Sequence, residues 1–379
     1  MHAPSVGEGL QALPVIQFFR ARNPDAQLAY TFYSPSAEAF ARTSGADFHD
    51  YLPFDTAHDA TSALDALHPT ALVFSKLDVW PLLVESAARR GVKLGMLSAT
   101  MPESSRRRSG LARLALGDAY AALDAVGAVS DGDARRLIEA GVGDDRITLT
   151  GDTRYDQAWL RAEADSKNRT ALLRPLRVPR FTMVAGSTWP SDEERLLPAW
   201  LLAKAAQPEL RLVIAPHELT AKHLHSIESW ARESGLSSAR IDSDSVSSAD
   251  VVLVDRYGIL GDLYALADIA YVGGGFRDAG LHSLLEPAAF GAPVIVGPGH
   301  PDNRDARLLV AAGGAFRCTD AASIADRIRR WLDSPDSLAH ARSAAREVVF
   351  AGLGAADLSV LLVEKLMFGH PVSFHSRRQ

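Results

Sequence analysis

A single cysteine, Cys318, stands among 379 residues, so no internal disulfide can form and a cysteine zinc site is excluded, which fits a reducing compartment. Long apolar runs are also missing. No uncharged stretch reaches the ~18 residues a membrane-spanning helix needs. The opening Met1-His2-Ala3-Pro4-Ser5 lacks the basic and apolar regions of a signal peptide. The expectation is a soluble or peripheral protein. A basic excess is absent too: 40 Lys and Arg against 46 Asp and Glu leave a net charge of −6, which argues against nucleic acid as a partner, since phosphate binding draws on positive charge. There is no low-complexity tract and no short repeat. What remains is an ordinary globular mixture, 47% hydrophobic and 23% charged, long enough for two domains.

Short apolar runs alternate with helical patterns throughout, the rhythm of parallel α/β construction. In the first half, strands are expected at Leu28–Phe32, Ala71–Phe74, Lys93–Leu97, Ala125–Val129 and Ile147–Leu149; in the second, at Phe181–Ala185, Leu210–Ile214, Val251–Val254, Ile269–Val272 and Pro293–Val296. Between them the pattern dissolves into polar and proline-rich sequence. This gives an expected division into residues 1–164, a linker at 165–179, and residues 180–379, with the last helix packing back on the first domain. Two such halves imply a cleft, and ligands of open parallel sheets bind beyond the carboxyl ends of the strands.

The strongest local signal is Tyr271-Val272-Gly273-Gly274-Gly275-Phe276, continuing through Gly280-Leu281-His282-Ser283-Leu284-Leu285-Glu286-Pro287. A strand running into three glycines exposes backbone N–H groups, and a helix expected to start near His282 adds a positive terminus, together a site for phosphate. It is not a Walker loop, since no Gly-Lys-Ser/Thr follows, nor a dinucleotide fingerprint at a first strand. His282 and Glu286, four apart, share one face of that expected helix, one to meet phosphate and the other ribose hydroxyls. The bland reading is a tight turn with Glu286 solvated. Four other strand ends follow suit. Gly186-Ser187-Thr188 opens a helix with Ser191 as expected N-cap and Glu194 as its partner; Pro216-His217 puts a histidine at a rim; Gly258 and Ile259 offer backbone groups to a base edge; Gly297 to Asn303 forms a further loop. A capping box, a structural histidine and a buried turn explain each of these singly.

In the first half, Ser5, Gly7 and Glu8 precede the helix from Leu10, and Ser98, Glu103 and Arg106-Arg107-Arg108 follow a strand. The arginines suit an anionic lipid or acceptor phosphate, or simply a solvated face. Asp242-Ser243-Asp244 lies in a polar stretch and reads as surface loop, so no metal-holding Asp-x-Asp pair is expected.

The ordered series HAPSVGE, SATMPESSRRRSG, GDTRYD, AGSTWPSDEE, APHE, YGILGDLY and YVGGGF…GLHSLLEPAAFGAPVIVGP resembles the 3-deoxy-manno-octulosonic acid (Kdo) transferases of lipopolysaccharide synthesis. The likeness spans about residues 2 to 310. It implies an α/β GT-B fold of two Rossmann-like domains, the C-terminal one holding the donor CMP-Kdo and the N-terminal one facing a lipid A precursor, with inverting transfer, no metal and no cofactor beyond the donor. It also implies a peripheral place on the cytoplasmic face of the bacterial inner membrane. By the resemblance Ser187, His217, Gly258, Ile259, Gly274, Gly275, His282, Ser283, Glu286 and Asn303 fall on the donor side. Ser5, Gly7, Glu8, Ser98, Glu103 and Arg106 fall on the acceptor side. Family members carry a membrane anchor and a short catalytic-glutamate segment before the HAPSVGE match, so the base is expected upstream of Met1, with Glu8 the nearest carboxylate here. Pro216-His217 replaces a frequent Arg-His, and His282-Ser283 a frequent His-Asn. A nucleotide-sugar epimerase or UDP-sugar transferase of the same fold, and a catalytically impaired binding homologue, are the alternatives.

Overall fold

Valine, isoleucine and alanine dominate the apolar runs, and these β-branched and small residues pack well on pleated sheets buried on both faces. The computed structural model describes residues 1–369 apart from 104, 106, 108–109, 165–166, 278–279 and 300–302. The chain divides into two units, Met1–Gln157 with Gly352–Gln379, and Ala158–Ala351.

In the first unit, β1 (Ala29–Phe32) pairs with β2 (Phe48–Tyr51), and β3 (Ala71–Ser75), β4 (Lys93–Ala99), β5 (Ala125–Ala128) and β6 (Ile147–Leu149) form a second ladder in that order. All these pairs are parallel. His2 bridges Thr31 and Phe74 and so joins β1 to β3. Its N–H donates to Val73 O at 2.8 Å, and the Ser75 N–H donates to His2 O at 2.9 Å. One face of the ladder packs Phe74, Leu94, Met96 and Val126 against flanking helices. The other carries Val73 and Leu97 against Val15 and Phe19 of the helix Val6–Arg22 and against Val360 and Val363 of the last helix, Ala355–Phe368.

Burial keeps the His2 imidazole neutral and pulls its pKa down to about 3, while Nδ1 lies 3.0 Å from Thr31 Oγ1. In the unfolded chain a histidine titrates near pH 6.5, roughly its free value. As pH falls the unfolded state therefore takes up the proton first, and stability present above about pH 6.5 is lost progressively toward pH 3. The melting temperature of the wild type is expected to decline between about pH 7 and 5, and His2→Asn to flatten that decline. An equal slope in both proteins assigns the acid sensitivity to another group.

The second unit holds β7 (Thr182–Thr188), β8 (Arg211–Pro216), β9 (Ser238–Arg240), β10 (Val251–Leu253), β11 (Ile269–Val272), β12 (Val294–Val296) and β13 (Ala315–Arg317). They make one parallel sheet in the order β13-β12-β11-β7-β8-β10-β9. The chain leaves β7 toward β8 and later returns to the other side of β7 with β11. The topological switch point, where ligands of such sheets bind, is therefore at the carboxyl ends of β7 and β11.

The observed seams differ from the expected ones. The helix Thr153–Glu163 runs through the first seam, and the stretch expected as linker contains a helix, Lys167–Leu173, with Leu173 and Leu176 buried. At the far end, residues 352–369 leave the second unit. The Asp156 carboxylate accepts the N–H groups of Gly354 (2.9 Å) and Ala356 (3.1 Å), and the last helix then buries its apolar side on the first sheet.

Candidate functional site

At the switch point β7 and β11 end in contact. A Cβ on Gly273 would sit 2.1 Å from Ser187 O, so only glycine lets the strand ends approach this closely. Ser187 itself turns through φ = 52°, a left-handed conformation that costs a serine roughly 1–2 kcal/mol. Its hydroxyl has no hydrogen-bond partner among the described residues. A strained strand end with an uncommitted hydroxyl is the kind of backbone found at binding sites.

The glycine loop is fixed from beneath by Asp192, which is fully buried. One carboxylate oxygen accepts the Gly274 N–H at 2.9 Å and the Trp189 N–H at 3.0 Å, and the other accepts the Tyr271 hydroxyl at 3.0 Å. Beside it a second buried carboxylate, Glu193, accepts from Thr188 Oγ1 at 2.7 Å and lies 2.9 Å from His223 Nε2. His223 Nδ1 reaches Glu218 O at 3.1 Å, where a carbonyl can only accept. Nδ1 thus donates to that carbonyl and Nε2 pairs with Glu193, tying the end of β7 to the loop after β8.

Above this support four side chains stack. The Arg277 guanidinium lies 3.6 Å from the Trp189 ring centroid. Trp189 stacks on His217 with centroids 4.3 Å apart, and His217 lies 4.5 Å from His282. Burial, then the neighbouring His217, lowers the His282 pKa. The imidazole is therefore neutral near pH 7 and gains a proton more readily when an anion arrives. His217 is placed by its own N–H donating to Thr188 O at 2.8 Å.

Glu286 stands nearby, next to the loop of Gly258 and Ile259: a Cβ on Gly261 would lie 2.9 Å from Glu286 Oε1, and Leu260 and Tyr264 flank Gly186 just before Ser187. Ser187, His217, His282, Gly274, Gly275, Glu286 and the 258–261 loop thus gather at the carboxyl end of one sheet. Trp189, Arg277, Asp192 and Glu193 join them unforeseen. The Trp-Pro-Ser-Asp-Glu run after Thr188 was the sequence signal for three of them, and Arg277 closely follows the three glycines.

Three expectations are corrected here. The helix expected from His282 is Leu285–Ala289, five residues long. The His282 N–H is drawn back to Gly273 O at 3.4 Å, and Leu284 O receives the first helical bond, from Ala288. His282 and Glu286 therefore share no helix face, and the glycine loop has no long helix terminus behind it. The helix after Ser187 runs from Pro190 to Ala206 with Trp189 at its N-cap and Asp192 accepting that residue's N–H. Ser191 is thus in the first turn, where the fixed φ of Pro190 suits position N1. Asn303 is the N-cap of Arg304–Ala312, its Oδ1 accepting from Ala306 N–H at 2.9 Å, so its amide oxygen is committed to the fold. Ser283 lies exposed between His282 and Glu286.

In the first unit Glu8 lies in the first turn of Val6–Arg22. It accepts the Ser5 hydroxyl and lies 3.3 Å from Lys76 Nζ, while Ser5 Oγ accepts the Gly7 N–H at 3.2 Å. Burial pushes the Glu8 pKa up, but Ser5 and Lys76 outweigh it and the net shift is down. Lys76, absent from the sequence reading, reaches Glu8 from a residue at φ = 71°. Ser98 is buried and bonds Thr153 Oγ1 at 2.7 Å; Thr153 donates to Gln11 O, so Ser98 is the donor and anchors the Glu8 helix instead of facing a ligand. The Glu103 side chain is 88% exposed, 3.7 Å from Arg136. Arg106 lies outside the described residues, and Arg107 is tied to Leu77 O and Asp78. Among the described residues no three His, Cys, Asp or Glu side chains converge on a metal-sized site.

Two Rossmann-like parallel units, with strand ends of the second gathered at a switch point, are the architecture of the GT-B fold. The UDP-GlcNAc 2-epimerase of Neisseria meningitidis, solved with UDP-GlcNAc bound, superposes with a TM-score of 0.70 over 96% of this chain and 98% of its own, at 14% identity, a likeness of fold alone. Sequence sets the family. The family described as 3-Deoxy-D-manno-octulosonic-acid transferase (kdotransferase) matches residues 1–157. The 3-deoxy-D-manno-octulosonic acid transferase of Bordetella pertussis is 31% identical over 369 residues, 94% of this chain and 84% of its own. That of Haemophilus influenzae is 25% identical over the same shares. The chain belongs to the Kdo transferase family, and it is a glycosyltransferase.

Proposed function

We propose that this enzyme moves Kdo from CMP-Kdo to a lipid A precursor, lipid IVA, with inversion at the anomeric carbon and without a metal ion, at the cytoplasmic face of the inner membrane. The observation that carries the reading is the 31% identity to a Kdo transferase across 94% of the chain. The chemistry of the two units accords with it. The leaving CMP bears one phosphodiester charge in the donor. Ser187 Oγ, His217, His282 and the Gly275 N–H are donors suited to that charge as it develops, the N–H groups of Gly273 and Gly274 being taken by Gly186 O and Asp192. Glu286 suits the ribose hydroxyls. In the first unit Glu8, ionised at neutral pH, is the carboxylate able to take the proton of the attacking sugar hydroxyl.

Among the described residues no helix is long and apolar enough to cross a membrane. Attachment to a bilayer surface runs, in this reading, through exposed apolar side chains of the first unit: Leu114 at 82% exposure and Phe54 at 67%. Incubation with CMP-Kdo and lipid IVA tests the reading by mass spectrometry of the lipid. Addition of Kdo is expected. An unmodified lipid together with epimerisation of UDP-GlcNAc overturns it.

A further inference from the structure

We propose that Arg161 is a positioning residue that fixes how Glu286 presents its carboxylate, and that it thereby sets a preference for a ribonucleotide over a 2′-deoxyribonucleotide donor. The proposal rests on the donor reading given above. Arg161 comes from the helix Thr153–Glu163, beyond the GDTRYD motif that opens it. Its Nη1 donates to Glu286 Oε1 at 2.9 Å, and its Nε lies 3.6 Å from Asp262 Oδ1. A guanidinium is a rigid planar fork, so contacts on two edges fix its orientation and that of the groups it holds.

Space confirms the fit. A Cβ on Gly261 would lie 1.9 Å from Arg161 Nη1 and 2.7 Å from Cζ, so the end of the guanidinium occupies the space that a side chain at 261 would take. Arg161 thus joins three elements: its own helix, the short helix Leu260–Leu263 and the short helix of Glu286. The carboxylates of Asp262 and Glu286 flank it on either side. Without the cation they repel each other across Gly261 and repel an anionic donor as well. With it, Glu286 Oε1 is committed on one side only, and Oε2 has no hydrogen bond to any described residue. The carboxylate is only 20% exposed, so the free edge is held in one direction, where it can accept two adjacent hydroxyls. A 2′-deoxyribose supplies one fewer.

The test is calorimetry of the full chain with CMP and with 2′-deoxy-CMP, alongside melting curves. The wild type is expected to prefer CMP by about tenfold or more, the loss of a hydrogen bond to a charged acceptor, and Glu286→Gln to erase most of that preference. Arg161→Gln is expected to erase it too, chiefly by weakening CMP while 2′-deoxy-CMP binding is kept. If Glu286→Gln behaves as stated and Arg161→Gln still prefers CMP like the wild type, the role of Arg161 is overturned and the donor reading stands. If Arg161→Gln weakens both nucleotides equally with a lowered melting temperature, the ion pair only braces the fold, and the proposal is likewise overturned. A wild type that binds CMP without preference removes the ribose role of Glu286 and this proposal together. Should Arg161→Gln fail to fold, Arg161→Lys decides. It keeps the charge but not the fork, and a preference equal to the wild type's overturns the proposal.

Discussion

Glu8→Gln is expected to lower turnover by about 10²- to 10⁴-fold, the usual contribution of a positioned general base, while calorimetric affinity for CMP stays unchanged. The Ser5 hydroxyl and the Lys76 ammonium keep Glu8 charged despite its partial burial, so at neutral pH it is ionised. Glutamine keeps the shape and the bond from Ser5 but cannot take one. Placement favours Glu8 over the alternative in the same unit: its backbone is fixed in a first helical turn, and that helix is pinned through Gln11, Thr153 and Ser98. Glu103, by contrast, is largely in solvent. A Glu8→Gln enzyme with wild-type turnover in a CMP-release assay rules this residue out as the base, and Glu103→Gln is then the next variant.

The second large effect belongs to Asp192. Asp192→Ala is expected to cost about 3–5 kcal/mol, because it orphans two buried N–H groups and a buried tyrosine hydroxyl at once. For a chain of this size that is a fall in melting temperature on the order of 10 °C, and CMP affinity falls with it as the loop at Gly274 loses its anchor. Asp192→Asn is milder. Its carbonyl can still accept from Gly274 and Trp189, while its amide must face the Tyr271 hydroxyl, which can turn to accept. Thermal melts of the two variants check this ranking, and equal stability of Asp192→Ala and wild type disproves the anchoring role.

Much of the fold was legible because its central strands are buried on both faces and read as unbroken apolar runs; β8 and β11 lie within two residues of expectation, and β7 runs three residues past its expected end. The elements missed are edges or intruders. Phe48-His49-Asp50-Tyr51 is exposed at all four residues, and Ser238-Ala239-Arg240 has one buried side chain. Met1 to Ala3 is too short to show periodicity, yet it runs through the middle of a sheet. The gathering of the donor-side residues was legible because glycine marks close backbone approach at Gly273. The supports were not. Asp192, Glu193 and Arg161 act on the site through hydrogen bonds to residues between 30 and 125 positions away, which leave no spacing to read. The His282 helix failed because Pro287 has no N–H to donate to Ser283 O and is tolerated only in a first turn, which sets the start at Leu285.

The return of Gly352–Phe368 to the first unit has a temporal side. On the ribosome, residues 1–157 emerge before the segment that completes them, and their sheet face at Val73 and Leu97 has only the helix Val6–Arg22 to cover it while some two hundred further residues are made. The second unit, Ala158–Ala351, is contiguous and complete before the last helix leaves the exit tunnel. The later half of the molecule is therefore free to fold first, and the earlier half closes last, reversing the usual N-to-C order of domain folding during synthesis.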